Sequence, residues 1–333
     1  MASLIPLLTT AQVAALSTQT IANLTTADWA LFSTGQIVAL TTAQIQAIET
    51  ADLKGVTTAS MAVFTTDQIA AFTSTQFGAL STTQIGVMNT AQAAALETTD
   101  LQSLNSLQLR ALSTAAVNVL DTQQIAALTS LQLATMATTQ VAALNTNQVA
   151  AIETGDLAAM LSTEIAAFNT NQIRALTTQQ MSALSSIAIR AFNTADVAAL
   201  TTDQVVAMST LQIAAFDTNQ VSTLNTAQVA AIDTSAISAM STASVRALNT
   251  AAVAALTTSQ IAGLSSTQVA ALSTTQVGAL TTNQIGAIET TDLAVMNTAQ
   301  VAILNTNQIA SLNTSQIAAM NTADVRALTS TTV

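Results

Sequence analysis

The chain contains no histidine, cysteine or tyrosine and a single lysine, Lys54. These absences remove the common general bases, the thiol nucleophile and the soft metal ligands, and Ser/His/Asp arrangements are impossible. The sequence is therefore read as that of a non-enzyme with no cofactor and no small-molecule substrate. Without cysteine no disulfide framework is possible, a state compatible with either side of a membrane. There is one proline, Pro6, so no proline-rich linker divides the chain. Charged residues make up 7% of the sequence against a typical ~25%. Six cations against 17 acids, a net charge of −11, oppose nucleic acid as a partner, because that binding rests on clustered Lys and Arg neutralising phosphates. No apolar run approaches the ~18 residues that span a membrane, so no membrane insertion is expected. The N-terminal MASLIPLL lacks the basic region of a classical signal peptide.

What is present is one eight-residue sentence, repeated. From Thr9 to Leu328 the chain divides into 40 octads without an insertion or deletion, such as NTAQVAIL, NTNQIASL and NTSQIAAM. Residues 1–8 form an atypical N-terminal segment, 9–328 one solenoid of repeats, and 329–333 an incomplete terminal repeat. Position 1 of the octad is Ser, Thr, Asn or Asp in 34 copies, and position 2 is Thr or Ser in all 40. Position 4 is Gln, Glu or Asp in 33. Positions 5 and 8 are apolar, position 7 is mostly Ala, and positions 3 and 6 vary most, as solvent-facing positions do.

One continuous α-helix fails as an explanation, because an eight-residue period drifts about 80° per repeat around a helix and no single face is buried. Ser/Thr/Asn/Asp followed three residues later by Gln/Glu is a capping box, and an apolar residue before the cap facing one at the fourth helical position is a hydrophobic staple. The octad therefore encodes a helix start every eight residues. Charge agrees: all six cations occupy position 6, and the acids fall only at positions 1, 3 and 4, as a helix dipole favours. The expected fold is an all-α solenoid, a superhelix of very short capped helices, one per octad. Positions 5, 7 and 8 are expected inside, with two to four octads per turn and three preferred. A β-solenoid with a corner between positions 5 and 8 is the alternative, supported by the Thr, Ile and Val content. The invariant hydroxyl at position 2 is read either as the cap itself or as a bond to a neighbouring octad.

The remaining chemistry lies in four carboxylate pairs at positions 1 and 4, Glu49/Asp52, Glu97/Asp100, Glu153/Asp156 and Glu289/Asp292. They are weak calcium candidates, since calcium wants oxygen ligands, but two carboxylates without an Asn/Asp/Gly loop read better as variant capping boxes. Trp29 and the phenylalanines sit at positions 5 or 8 and read as core filling.

The stretches LTTAQVAAL, LSTTQVGAL and LTTNQIGAI, each an octad with the residue before it, resemble the low-complexity LTTxQIAAL arrays of large bacterial surface or secreted proteins. That resemblance implies a bacterial protein, extracellular or on the cell surface, although nothing in the composition opposes a cytoplasmic one. LTTAQVAAL is also similar to the LTPEQVVAI helix start of TAL-effector repeats. The match is local, the period differs and the basic surface is missing, so DNA binding is not carried over. The expected function is that of a self-assembling scaffold or filament whose partner is itself. An ice-binding Thr array and a passive stalk from a large adhesin are the alternatives. The assembly surface is expected at the ends, from Leu4, Ile5, Leu7 and Leu8 at one and Leu328 and Val333 at the other, because uncapped solenoid ends expose their stacking faces.

Overall fold

A computed structural model describes residues 3–331 of the chain, with side chains to Leu328. Each of the 40 octads builds one short helix. Thirty-nine are α-helical, from Thr10–Ala14 to Thr322–Thr331, and one, Leu53–Gly55, is a 3-10 helix. There is no strand among the described residues, so the β-solenoid is set aside. Ahead of the first octad, Ile5–Leu7 forms another 3-10 turn.

The local rules of the octad account for each helix and its end. Position 1 is the N-cap, in extended backbone, and its side chain accepts the N–H of position 4: Asn225 accepts from Gln228 and Thr41 from Gln44. Position 2 is thus the first helical residue and not the cap. At the other end the N–H of position 8 bonds the position-5 carbonyl, as Leu200 does to Val197 at 3.2 Å. Position 8 is typically extended, for example Ile232 at φ −66°, ψ 134°. Where both residues are extended, positions 8 and 1 make the corner, and no described residue has a positive φ. The corners accordingly need no glycine, which is why the chain manages with eight.

Helices of four to six residues have no stability of their own, and stacking supplies it. The chain divides into two compact units between Phe168 and Asn169, at the boundary of two octads. In the first unit Ser74–Ala79 packs on Thr98–Ser103, and in the second Thr226–Ala231 packs on Thr250–Ala255, each pair three octads apart. Hydrogen bonds also link octads four apart, from Gln44 to Val13 and from Gln228 to Val197. A turn of the coil in each unit therefore takes about three octads, the number preferred from sequence, and the four-octad bonds reach the helix end that directly precedes the stacked neighbour.

Positions 5 and 8 fill the core, as with Val197 and Leu200. Position 7 is mostly half-buried, and position 4 is buried in its place, a correction to the expected 5, 7 and 8. The aromatic residues are core: Trp29 stacks on Phe32 at 4.8 Å, and Phe64, Phe72 and Phe77 contact one another edge-on and tilted. Positions 3 and 6 are exposed in nearly every octad. No described helix is long and apolar enough to cross a membrane. These faces predict a sharp contrast in denaturant melts. Leu200→Asp places an unpaired charge in the core and should destabilise by several (~3–5) kcal/mol, whereas Arg246→Gln, on the exposed position 6, should lie within ~0.5 kcal/mol of the parent.

Candidate functional site

The capping box uses only half of the position-4 side chain. In octad 225–232 the Asn225 N–H donates to Gln228 Oε1 at 2.9 Å. The other end of the same amide, Nε2, donates to the carbonyls of Val197 at 2.9 Å and Leu200 at 2.8 Å, positions 5 and 8 four octads earlier. The first unit repeats the arrangement. Thr41 N–H donates to Gln44 Oε1 at 2.8 Å, and Gln44 Nε2 donates to Val13 and Leu16 at 2.9 and 2.8 Å. The position-8 carbonyl is one that the helix leaves unpaired at its C-terminus, and the position-5 carbonyl takes the amide beside the position-8 N–H. One glutamine thus closes the start of its own helix and the end of another.

Glutamine occupies position 4 in 25 octads, and every one except Gln12 is buried. Sequence reasoning passed over this seam because a capping box treats Gln and Glu alike. The signal lay in their ratio: Glu164 is the lone glutamate at this position. A carboxylate can accept the cap N–H but has no N–H to donate. Ile5 and Leu8 accept from Gln36 at 2.8 Å each, so residues ahead of the first octad supply the same pair of carbonyls.

Where aspartate replaces glutamine, a different bond crosses the turn. The position-2 hydroxyl three octads earlier donates to it: Thr26 to Asp52 at 2.7 Å, Ser74 to Asp100 at 3.0 Å, Ser266 to Asp292 at 2.5 Å, and Ser130 to Asp156. Thr170–Asp196 and Thr298–Asp324 follow the same rule, both at 3.2 Å. In these octads the position-2 hydroxyl bonds a stacked neighbour. The eight candidate calcium ligands are therefore divided. Asp52, Asp100, Asp156 and Asp292 turn toward the seam, whereas Glu49, Glu97, Glu153 and Glu289 are exposed. No three acids come together as a metal cage among the described residues. A third bond runs outward from position 6: Gln102, Asn118 and Arg190 donate to the position-7 carbonyls of Ala127, Ala143 and Ala215, three octads on.

The expected assembly residues fall in different surroundings. Ile5 is buried at 4% exposure, Leu4 and Leu7 are exposed at 69% and 78%, and Leu8 and Leu328 are half-buried. Val333 lies outside the described residues.

The repeated helix and its seam define a tandem-repeat protein of the helical solenoid class. The chain belongs to the ALTTAQ repeat family, whose repeat matches residues 45–82, 93–130, 149–186, 182–210, 229–266, 262–287 and 285–322, more than half of the sequence. Comparison with curated proteins gave no match. The stretches that start at 45, 93, 229 and 285 each begin at a position-5 acceptor and enclose its glutamine: Ile45 with Gln76, Ala93 with Gln124, Val229 with Gln260 and Ile285 with Gln316.

Two measurements test the seam. Gln228→Ala should cost about 1–2 kcal/mol, and Gln228→Glu more, about 3 kcal/mol, because it keeps the cap acceptor while turning an anion toward two carbonyls. The reverse order in equilibrium unfolding would contradict the donor role. The second is pH dependence. Burial pushes Asp100 above the ordinary aspartate value of 3.8, against hydrogen bonds from Ser74 and the Glu97 N–H, and the Glu97 charge adds to the rise. Burial likewise raises Asp196, against bonds from Asn193 N–H and Thr170. Folded carboxyls with raised values hold protons that the unfolded chain has released, so stability increases as pH falls from neutral toward 3.8. Asp28 and Asp233 are lowered, chiefly by the hydroxyls of Ser3 and Ser235, and their contribution is lost below 3.8. The melting temperature should therefore rise on acidification, pass a maximum and fall. Combining Asp100→Asn with Asp196→Asn should flatten the rise.

Proposed function

We propose that this protein is a structural scaffold that assembles end to end with copies of itself and works through its length and repeated faces rather than through chemistry. The observation that carries this reading is the seam: one donor and one pair of acceptors recur along the array, so each turn presents what another turn requires. Gln12 is exposed, unlike every other position-4 glutamine. In the last described octads Ile317 and Val325 are 40% and 42% exposed at position 5, which is fully buried in the interior turns. A second copy stacking its octads over these residues would bury that apolar surface. Such a contact is heterologous, so it propagates as a fibre, and the low charge offers little repulsion to oppose it. The exposed Thr, Ser and Asn surface and the likeness to bacterial surface arrays support a place outside or on a bacterial cell.

The test is sedimentation velocity with negative-stain microscopy of the purified chain. We expect fibres whose length grows with concentration, and Ile317→Lys combined with Val325→Lys should shorten them severalfold. A monomer at high concentration would overturn the scaffold reading. Thermal hysteresis in that monomer would favour an ice-binding array of position-2 hydroxyls, and its absence a passive stalk.

A further inference from the structure

We infer that Glu153–Phe168 is a built-in opening point, two octads that give way before the turns around them in the first unit. The inference rests on the seam and does not depend on self-assembly. The octads 153–160 and 161–168 lack what holds the others. Their position-1 residues are Glu153 and Leu161, and neither helix, Thr154–Ala159 or Ser162–Ile165, has a side-chain cap bond. Among the described residues this is the one place where two successive octads are uncapped. Leu161 is instead an apolar side chain, 59% exposed, at the capping position.

Their position-4 residues are Asp156 and Glu164, which have no amide to reach the carbonyls of Ile125, Leu128, Leu133 and Met136. Asp156 keeps the hydroxyl bond from Ser130, while Glu164 accepts only from its neighbour Thr163. Helix start and donated strut are therefore missing together.

No other stretch combines these losses over two octads. Residues 17–32 also lack position-4 glutamine, but Ser17 and Thr25 cap both helices. Residues 233–256 carry Ala236, Ser244 and Ala252 at position 4, yet all three helices are capped, and Gln268, Gln276 and Gln284 bond their carbonyls. The octads 49–56, 97–104 and 289–296 lack both supports, but each stands alone. Residues 153–168 also close the first compact unit. Opening here would let a loaded array yield at one place while the strutted turns keep their shape, and would present an extended segment to proteases.

Amide hydrogen exchange on the full-length chain tests the inference. Backbone amides in 153–168 should exchange at least about tenfold faster than those in 137–152 and 233–256, given two missing caps and missing cross-turn bonds. Equal rates, or earlier opening of 233–256, would overturn it. A variant combining Glu153→Asn, Asp156→Gln, Leu161→Asn and Glu164→Gln restores caps and donors and should bring 153–168 to the rate of 137–152; unchanged fast exchange would overturn the assignment of cause. Gln148→Ala serves as the control. It should speed exchange around Val117 and Leu120, its acceptors, and silence there would locate the failure in the seam itself.

Discussion

Everything in this molecule depends on one amide having two ends. A helix of five or six residues leaves most of its backbone groups unpaired, four N–H groups at one end and four carbonyls at the other. The chain solves the first problem locally with the cap at position 1. It solves the second at a distance, with the Nε2 of a glutamine four octads along the sequence. Because the same side chain accepts the cap N–H and donates across the turn, helix formation and coil formation are not separate events. A capped helix positions its glutamine, and a positioned glutamine finishes a helix elsewhere. The single buried side-chain polar atom without a partner among the described residues, the indole N–H of Trp29, shows how completely the remaining polar groups are accommodated.

The helix was legible in the sequence because its determinants are local. Asn225 and Gln228 stand three residues apart, Leu224 and Val229 form the staple, and no tertiary information is needed to see them. The same holds for the exposed faces, since Arg246 and its counterparts at position 6 reveal the dipole and the solvent side together. The seam was not legible by the same logic. Gln228 satisfies the capping box whether or not its Nε2 has a partner, and residues 28 and 31 positions earlier carry no side-chain mark of their role, because the acceptors are backbone carbonyls. The number of octads per turn carried no such mark either. Three was preferred and is the spacing at which helices pack, but the octads are so nearly alike that no rhythm of large or charged side chains separates one turn from the next. Position 7 was placed inside because alanine allows close approach, but its half-burial follows from the glutamine occupying the inner side.

Aspartate at position 4 shows how the seam accommodates variation. An anion one methylene shorter cannot reach or donate to the distant carbonyls, and the coil offers it a different neighbour, the hydroxyl at position 2 three octads back. The invariance of Thr or Ser at position 2 makes that partner available to every position-4 aspartate beyond the first three octads. Burial without a nearby cation still raises Asp100 and Asp196, so the substitution is tolerated rather than equivalent. The family's repeat boundaries carry the same lesson at larger scale. Stretches such as 45–82 and 229–266 span nearly five octads, enough to enclose a donor and both of its acceptors. The cooperative unit of the fold is therefore longer than its sequence period.

The corners, built from two residues of ordinary negative φ, bear on how such a gene can change. With no glycine-dependent turn and no specialised connector, any octad can follow any other. Unequal recombination or replication slippage that adds or removes whole octads returns a chain in which every position-4 side chain again finds a position 5 and a position 8 behind it. Loss of a single codon shifts each donor on one side of the lesion against each acceptor on the other and disturbs about a full turn of the coil. The fold thereby accepts a change in array length by whole octads and penalises any shift within one.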